Sequence, residues 1–389
     1  MQSSLLSSNK VQASATGAIN DLAEQKTRAG VRVYNLSVGE PVVPASEFMA
    51  EAAARAVRDG QTRYAPIAGL PALRQAAAEW LNKTYVANYA SPQTLITCGG
   101  KFGIYLLCQT LLSAGDEALI ISPFWVSYST MVKMAGAEPK IITTEEKSGW
   151  KISAAGIESA CNLKTKVLFL NSANNPTGAV YSRAELGAIL AVAKKNNLMV
   201  ISDEVYSGLT YEGEYVSCAS FPEYQDNVAV VQSCSKNFAM TGWRVGFVFA
   251  PESVIKSLVP LQSQTITGTS TVSQAVALAV LGQAVGINSA VRDKMKARRD
   301  LFISEFNRLF KQAISPPVSA LYAFVPLTVF AAKETNSQNF CGQVLEKFNV
   351  ALVPGAAFGQ EGYARLSFGS PENEIIEALS ALSLVQGRL

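Results

Sequence analysis

Histidine is absent from all 389 residues. Its absence excludes every Ser-His-Asp or Cys-His catalytic arrangement and any zinc site built on imidazole. Charge is scarce as well: Asp, Glu, Lys and Arg make up 16% of the chain, where roughly 25% is usual. Apolar residues make up 49%, which excludes disorder and describes a large dry interior. The 33 basic and 30 acidic side chains leave a net of +3, too little for a nucleic-acid footprint. The six cysteines, at positions 98, 108, 161, 218, 234 and 341, never form a C-x-x-C pair. They read as reduced thiols packed in a cytoplasmic protein. Met1 to Ser14 has neither a basic start nor an apolar run, so no signal peptide is expected. The longest apolar stretch, Ala275 to Ile287, contains Gln283 and reaches about two-thirds of a membrane span. No membrane partner is expected.

What is present is an alternation. Short β-rich runs at Thr94–Cys98, Ala118–Ser122, Lys140–Thr143, Lys166–Asn171, Met199–Asp203, Val228–Cys234 and Val245–Ala250 are separated mostly by helix-length segments. One of these, Arg183–Asn196, places Leu186, Ile189, Leu190 and Ala193 on one face. Runs apolar on both faces, with helices between them, predict an α/β fold: a mostly parallel, seven-stranded sheet flanked by helices. Only ten residues join the last two runs, too few for a helical crossover, so one antiparallel edge is expected. From Asn288 the texture changes to a charged helical stretch, Val291–Phe310. Shorter alternating runs at Ala320–Phe324 and Val350–Val353 follow, then an amphipathic tail, Asn373–Val385. This predicts a large domain over 36–287 and a smaller α+β domain built from 1–35 and 288–389.

Ligands of parallel sheets bind at the carboxyl ends of the strands, so polar residues just after the apolar runs are the candidates. They are Gly99-Gly100-Lys101; Asn171 through Asn174-Asn175-Pro176-Thr177-Gly178; Asp203-Glu204 with Tyr206; Ser233, Ser235 and Lys236 with Arg244; and, far downstream, Arg365. Each alone has a plain reading as a turn, a cap or solvated surface. Together they share one rim. A lysine there, in an apolar site with Arg244 close by, has its amine pKa lowered and can form an imine with a carbonyl cofactor. A helix N-terminus, two serines and an arginine suit a dianionic phosphate. A strand-end carboxylate keeps a pyridine nitrogen protonated. A carbonyl, a phosphate and a pyridine together indicate pyridoxal 5′-phosphate.

Further motifs extend the pattern: Ser14-Ala15-Thr16, Val38-Gly39-Glu40-Pro41, Arg63-Tyr64-Ala65-Pro66, Pro123-Phe124-Trp125-Val126-Ser127-Tyr128 and Thr241-Gly242-Trp243-Arg244-Val245-Gly246. From about Val11 to Leu384 the chain resembles the class I aminotransferases of fold type I, and within them the bacterial aspartate aminotransferase subgroup. The resemblance implies that Lys236 forms the internal aldimine and then carries the proton between carbons. It implies that Asp203 pairs with the pyridine nitrogen, and that Tyr206 and Asn175 bond the ring's 3-oxygen. Trp125 stacks on the ring, and Gly100, Lys101, Ser233, Ser235 and Arg244 hold the phosphate. Arg365 clamps the substrate α-carboxylate, helped by Asn175 and the Gly39 backbone. Tyr64 completes the phosphate site of a partner subunit, which implies a homodimer. The histidine found behind the aspartate in some members has no counterpart here.

The same resemblance bears on substrate. Ser263–Gly268 contains no arginine to reach a distal carboxylate across subunits. Lys101, Ser14 and Thr16 match the subgroup's alternative, so an acidic amino acid and a 2-oxo acid are the expected substrates. Glu40-Pro41-Val42-Val43-Pro44 departs from the subgroup's Glu-Pro-Asp-Phe-x-x-Pro, which leaves an aromatic or broad-specificity enzyme as the alternative. Ala173 stands where the subgroup has proline, a minor change. A C–S lyase or cyclopropane-forming synthase would use the same lysine and aspartate. A dinucleotide-dependent oxidoreductase would need a Gly-x-Gly-x-x-Gly after the first strand, and there is none.

Overall fold

The computed structural model describes residues 14–44, 46–332 and 334–389; residues 1–13, where no signal peptide is expected, lie outside these. Among the described residues twelve strands run in chain order: β1 Tyr34–Asn35, β2 Thr94–Thr97, β3 Glu117–Ser122, β4 Glu138–Thr143, β5 Thr165–Leu170, β6 Met199–Asp203, β7 Val228–Ser233, β8 Gly246–Phe249, β9 Tyr322–Pro326, β10 Val350–Ala351, β11 Val353–Pro354 and β12 Tyr363–Ser367. Seven of them form one sheet in the order β2-β8-β7-β6-β5-β3-β4. β3 to β7 pair in parallel, with Val167 opposite Met199 and Asp203 opposite Val231. Side chains alternate across the sheet: Leu168 and Leu170 pack into one apolar core, Val167 and Phe169 into the other. That two-sided burial is why the strands read as continuous apolar runs.

The expected antiparallel edge is corrected. β8 does run antiparallel to β7, as its short connection demands, but β2 adds outside it, also antiparallel. The reversed strand is therefore second from the edge, and β2 points the same way as the parallel strands. The reversal matters for chemistry. Six strands present their C-terminal ends to one rim, and β8 presents its N-terminal end there, so Arg244, just before it, joins the rim. The approach is close: a Cβ on Gly246 would lie 2.4 Å from the Gly99 carbonyl carbon.

The helices are set by local signals. Arg183–Lys195 opens on a capping box in which Ser182 and Glu185 bond each other's backbone N–H. Pro71 starts Pro71–Tyr85 at its first turn. A third core gathers Leu36, Phe302, Phe306, Phe310, Phe330, Phe340 and Leu379 beneath the three-stranded sheet β11-β12-β9. Each such fully buried aromatic contributes about 1.5–3 kcal/mol. The helix Ala284–Phe310 starts against the first sheet core at Ala284 and ends in this third core at Phe310. It thus runs unbroken through position 288, where the sequence texture changes. β1 pairs in parallel with β10, and Ala23, in the helix Ala15–Arg28, packs with Leu345 and Ala351, so the N-terminal segment joins the later part of the chain. Among the described residues no single helix is long and apolar enough to cross a membrane.

Candidate active site

At the shared rim lies a cavity of about 610 Å³. Of the fifteen residues to which the resemblance gives a role, fourteen line it: Ser14, Thr16, Gly39, Gly100, Lys101, Trp125, Asn175, Asp203, Tyr206, Ser233, Ser235, Lys236, Arg244 and Arg365; among the other rim candidates Asn171 lines it too, while Gly99, Asn174 and Glu204 do not. The fifteenth, Tyr64, is 93% exposed and borders a separate surface depression with Arg63, Gly268 and Thr269.

Lys236 sits in the short helix Cys234–Asn237, directly after β7. Its Nζ donates to the Gly39 carbonyl. Burial lowers its ammonium pKa to about 8; Arg365 and Arg244 push the same way, and the Glu40 carboxylate opposes them. Asp203 closes β6, 4% exposed. Its Oδ2 accepts from the Tyr128 hydroxyl at 2.5 Å and its backbone carbonyl accepts from Asn171 Nδ2 at 2.7 Å. Burial lifts its carboxyl pKa to about 6, against the Tyr128 hydrogen bond, so a cation bound beside it would hold it ionised. Tyr128 thus occupies the place behind the aspartate for which this histidine-free chain has no imidazole. The Tyr206 and Tyr322 hydroxyls hydrogen-bond each other.

Arg365, on β12, is 2% exposed. It donates through Nη1 to Asn175 Oδ1 at 3.0 Å and through Nη2 to the Ser37 carbonyl, while its Nε has no partner among the described residues. Its guanidinium carbon lies 4.2 Å from the Tyr322 ring centre. A buried cation that lines the cavity and has one N–H unpartnered is a receptor for an anion. Gly39 permits this packing, since a Cβ there would fall 1.9 Å from the Tyr322 hydroxyl.

Across the cavity the helix Gly100–Leu111 starts without a side-chain cap, leaving first-turn N–H groups free for an anion. Gly99 has φ +78°, and a Cβ there would lie 2.3 Å from Arg244 Nη2. Arg244 donates to the Thr241 carbonyl at 2.8 Å. Ser233 Oγ donates to the Val245 carbonyl at 3.1 Å and accepts from the Ser235 N–H at 3.1 Å. Lys101, on the first turn, is exposed at the rim with Nζ 5.0 Å from the Trp125 ring centre, its pKa lowered by desolvation and by Arg244. Ser14 caps the helix Ala15–Arg28 by accepting from the Gly17 N–H at 3.2 Å.

Sequence reasoning assigned no role to Tyr128, Tyr322, Ser37, Glu40 or Thr241. Tyr128, Glu40 and Thr241 lie inside motifs already singled out; the Thr241 hydroxyl donates to the Glu40 carboxylate. Tyr322 carried no local signal.

An uncapped helix start beside Arg244, a strand-end carboxylate, a lysine with a lowered pKa and a bare arginine N–H fit pyridoxal 5′-phosphate and a carboxylate substrate. The fold is that of a pyridoxal-phosphate-dependent transferase of fold type I. More narrowly, the chain belongs to the class I and II aminotransferases: the family model "Aminotransferase class I and II" matches residues 31–382. It is a pyridoxal-phosphate-dependent transaminase. The aspartate/prephenate aminotransferase of Thermus thermophilus is 36% identical over 98% of this chain and 99% of its own length. The structure of Thermus thermophilus aspartate aminotransferase with maleate superposes with a TM-score of 0.92 at 34% identity, covering 97% of this chain and 98% of that one. The aspartate aminotransferase of Rhizobium meliloti superposes with 0.90 at 29% identity, covering 100% and 99%.

Proposed function

We propose that this transaminase takes an acidic amino acid, aspartate or glutamate, as donor and 2-oxoglutarate or oxaloacetate as acceptor. The observation that carries the reading is Lys101, a cation at the rim of a cavity also lined by Ser14 and Thr16, placed to meet a second carboxylate. The maleate in the Thermus structure is a dicarboxylate of that kind. Val42 and Val43 do not line the cavity, and Val43 packs instead against the cluster around Tyr206 and Tyr322. The departure at the entrance therefore leaves the polar end of the site intact.

Pyridoxal phosphate, when bound, supplies a carbonyl and a protonated ring that draws electrons from the bonds at the substrate Cα. Gly100, Ser233, Ser235 and Arg244 would hold its phosphate, Asp203 its ring nitrogen, Tyr206 and Asn175 its 3-oxygen, and Trp125 the ring face. Arg365 fixes the substrate α-carboxylate with Asn175 and Gly39. Lys236 Nζ, with a pKa of about 8, can be neutral near pH 8, so it takes the Cα proton and returns it. The Tyr128 hydrogen bond holds the Asp203 carboxylate in place.

The large domain spans 36–287 and the small one 1–35 with 288–389, which puts Lys236 on one and Arg365 on the other. Two chains form a homodimer in which Tyr64 completes the partner's phosphate site; an aromatic ring 93% exposed supports this. The six unpaired cysteines support a cytoplasmic location.

The test compares kcat/KM for L-aspartate and L-phenylalanine in the parent and in Lys101→Met. Aspartate is preferred by the parent. The variant loses roughly ten- to a hundredfold for aspartate alone, the worth of one charged hydrogen bond. Equal losses for both substrates would reduce Lys101 to a phosphate ligand and favour the aromatic reading.

A further inference from the structure

Beside the cavity lies a buried polar cluster that the reaction scheme does not use. Gln232 Nε2 donates to Glu204 Oε2 at 3.4 Å, and its Oε1 accepts from Ser207 Oγ at 3.2 Å and Asn237 Nδ2 at 3.3 Å. Asn237 also donates to Ser207 Oγ at 3.1 Å, as does the Tyr85 hydroxyl at 2.7 Å. Glu204 Oε1 accepts from Ser202 Oγ and the Cys218 N–H, each at 2.9 Å. Glu204 and Gln232 are fully buried, Asn237 and Ser207 nearly so. No cation bonds the carboxylate among the described residues.

The chain positions are informative. None of Glu204, Ser207, Gln232 and Asn237 lines the cavity, yet each is the immediate neighbour of a residue that does: Asp203, Tyr206, Ser233 and Lys236. The ladder between β6 and β7 ends at Asp203–Val231, with a last backbone bond from the Glu204 N–H to the Val231 carbonyl. Tyr206 stands on a turn and Lys236 on the short helix Cys234–Asn237, both past the last β6–β7 pair, although β7 stays paired with β8 as far as Ser233–Gly246. There the cluster takes over. Its chain neighbours Cys234 and Phe238 are buried as well, so any displaced member leaves buried polar groups unpaired.

We propose that Glu204, Ser207, Gln232 and Asn237 form a positioning unit, centred on Gln232, that sets the spacing of Asp203, Tyr206 and Lys236. The inference rests on the reading that those three residues carry the reaction.

The test uses the holoenzyme. Gln232→Met keeps the volume and removes three hydrogen bonds. It lowers kcat about ten- to a hundredfold, the scale of an ångström of misplacement, and raises the Kd for pyridoxal phosphate severalfold, read from the visible band. The KM for L-aspartate stays within about twofold, because Arg365 and Asn175 hold the carboxylate independently. Glu204→Gln sets one amide donor against another and lowers kcat too. Combining it with Gln232→Glu again faces a donor with an acceptor and recovers at least tenfold. An unchanged kcat and Kd with only a lower thermal midpoint, or no recovery in the double exchange, would overturn the proposal. Should Gln232→Met not fold, Ser207→Ala removes a smaller part of the cluster; it lowers kcat severalfold, and parental kcat would overturn the proposal. Lys236→Ala separates the two readings: turnover in that variant would sink the catalytic assignment, whereas an inactive Lys236→Ala beside a fully active Gln232→Met would sink only the cluster.

Discussion

Arg365→Lys tests the substrate clamp. In the structure Nη1 and Nη2 are already engaged by Asn175 and Ser37, and Nε is left bare. The guanidinium can thus stay anchored while turning a fork of N–H groups to a carboxylate. Lysine keeps the charge but offers a single ammonium, which cannot anchor and bind bidentately together. Losing one charge-assisted hydrogen bond costs about 1.5–3 kcal/mol, which corresponds to roughly ten- to a hundred-and-fiftyfold in affinity. Burial adds to the loss. It already lowers the Arg365 pKa, and a lysine there would be neutralised far more readily. The assay is a spectral titration of the holoenzyme with L-aspartate, and of its aminated form with 2-oxoglutarate; both dissociation constants rise by that factor. A simple alkylamine, which lacks the carboxylate, binds equally to parent and variant. Unchanged affinity for aspartate, or an equal loss for the alkylamine, would refute the clamp.

Asp203→Asn removes the charge that holds the ring proton while keeping a partner for Tyr128, and turnover falls at least about a hundredfold; parental kcat would remove Asp203 from the mechanism. Gly99→Ala forces a Cβ to within 2.3 Å of Arg244 Nη2 at a φ of +78°. The Kd for pyridoxal phosphate rises about tenfold or more, and stability drops by about 1–3 kcal/mol, both read from cofactor titration and thermal melts. Burial raises the Glu204 pKa from 4.5 to about 7. A carboxyl raised on folding favours the folded state below pH 4.5, and that contribution is lost as pH climbs through 7, about 3 kcal/mol in all. In urea unfolding at pH 5 and pH 8, between which about 2 kcal/mol of it is lost, Glu204→Gln removes that much of the parent's pH dependence; an identical pH dependence in the two proteins would show that this carboxyl does not control it.

The rim was legible because its residues follow apolar runs, and each run fixes where a strand ends. Asn175, Asp203, Lys236 and Arg244 could therefore be placed from local pattern alone. The position of β8 was half legible: ten connecting residues fix its direction, but nothing local says that β2 will pair beyond it. β1, β10 and β11 span two residues each, too few for an alternation to show. Tyr128 behind Asp203, Tyr322 against Tyr206 and Gln232 against Ser207 are contacts between separate segments. No spacing rule announces such pairs, and all three depend on how the sheet and the later strands come together.

The central claim is that Lys236 is the residue that joins the cofactor and moves the proton. Borohydride reduction of the holoenzyme fixes a lysine–pyridoxal link as a stable amine, and peptide mass spectrometry then locates it. The predicted result is a single modified lysine, Lys236, whose labelling is lost when L-aspartate is added before the reductant and returns with 2-oxoglutarate. A label on Lys101 or any other lysine, or labelling that L-aspartate leaves untouched, would contradict the account.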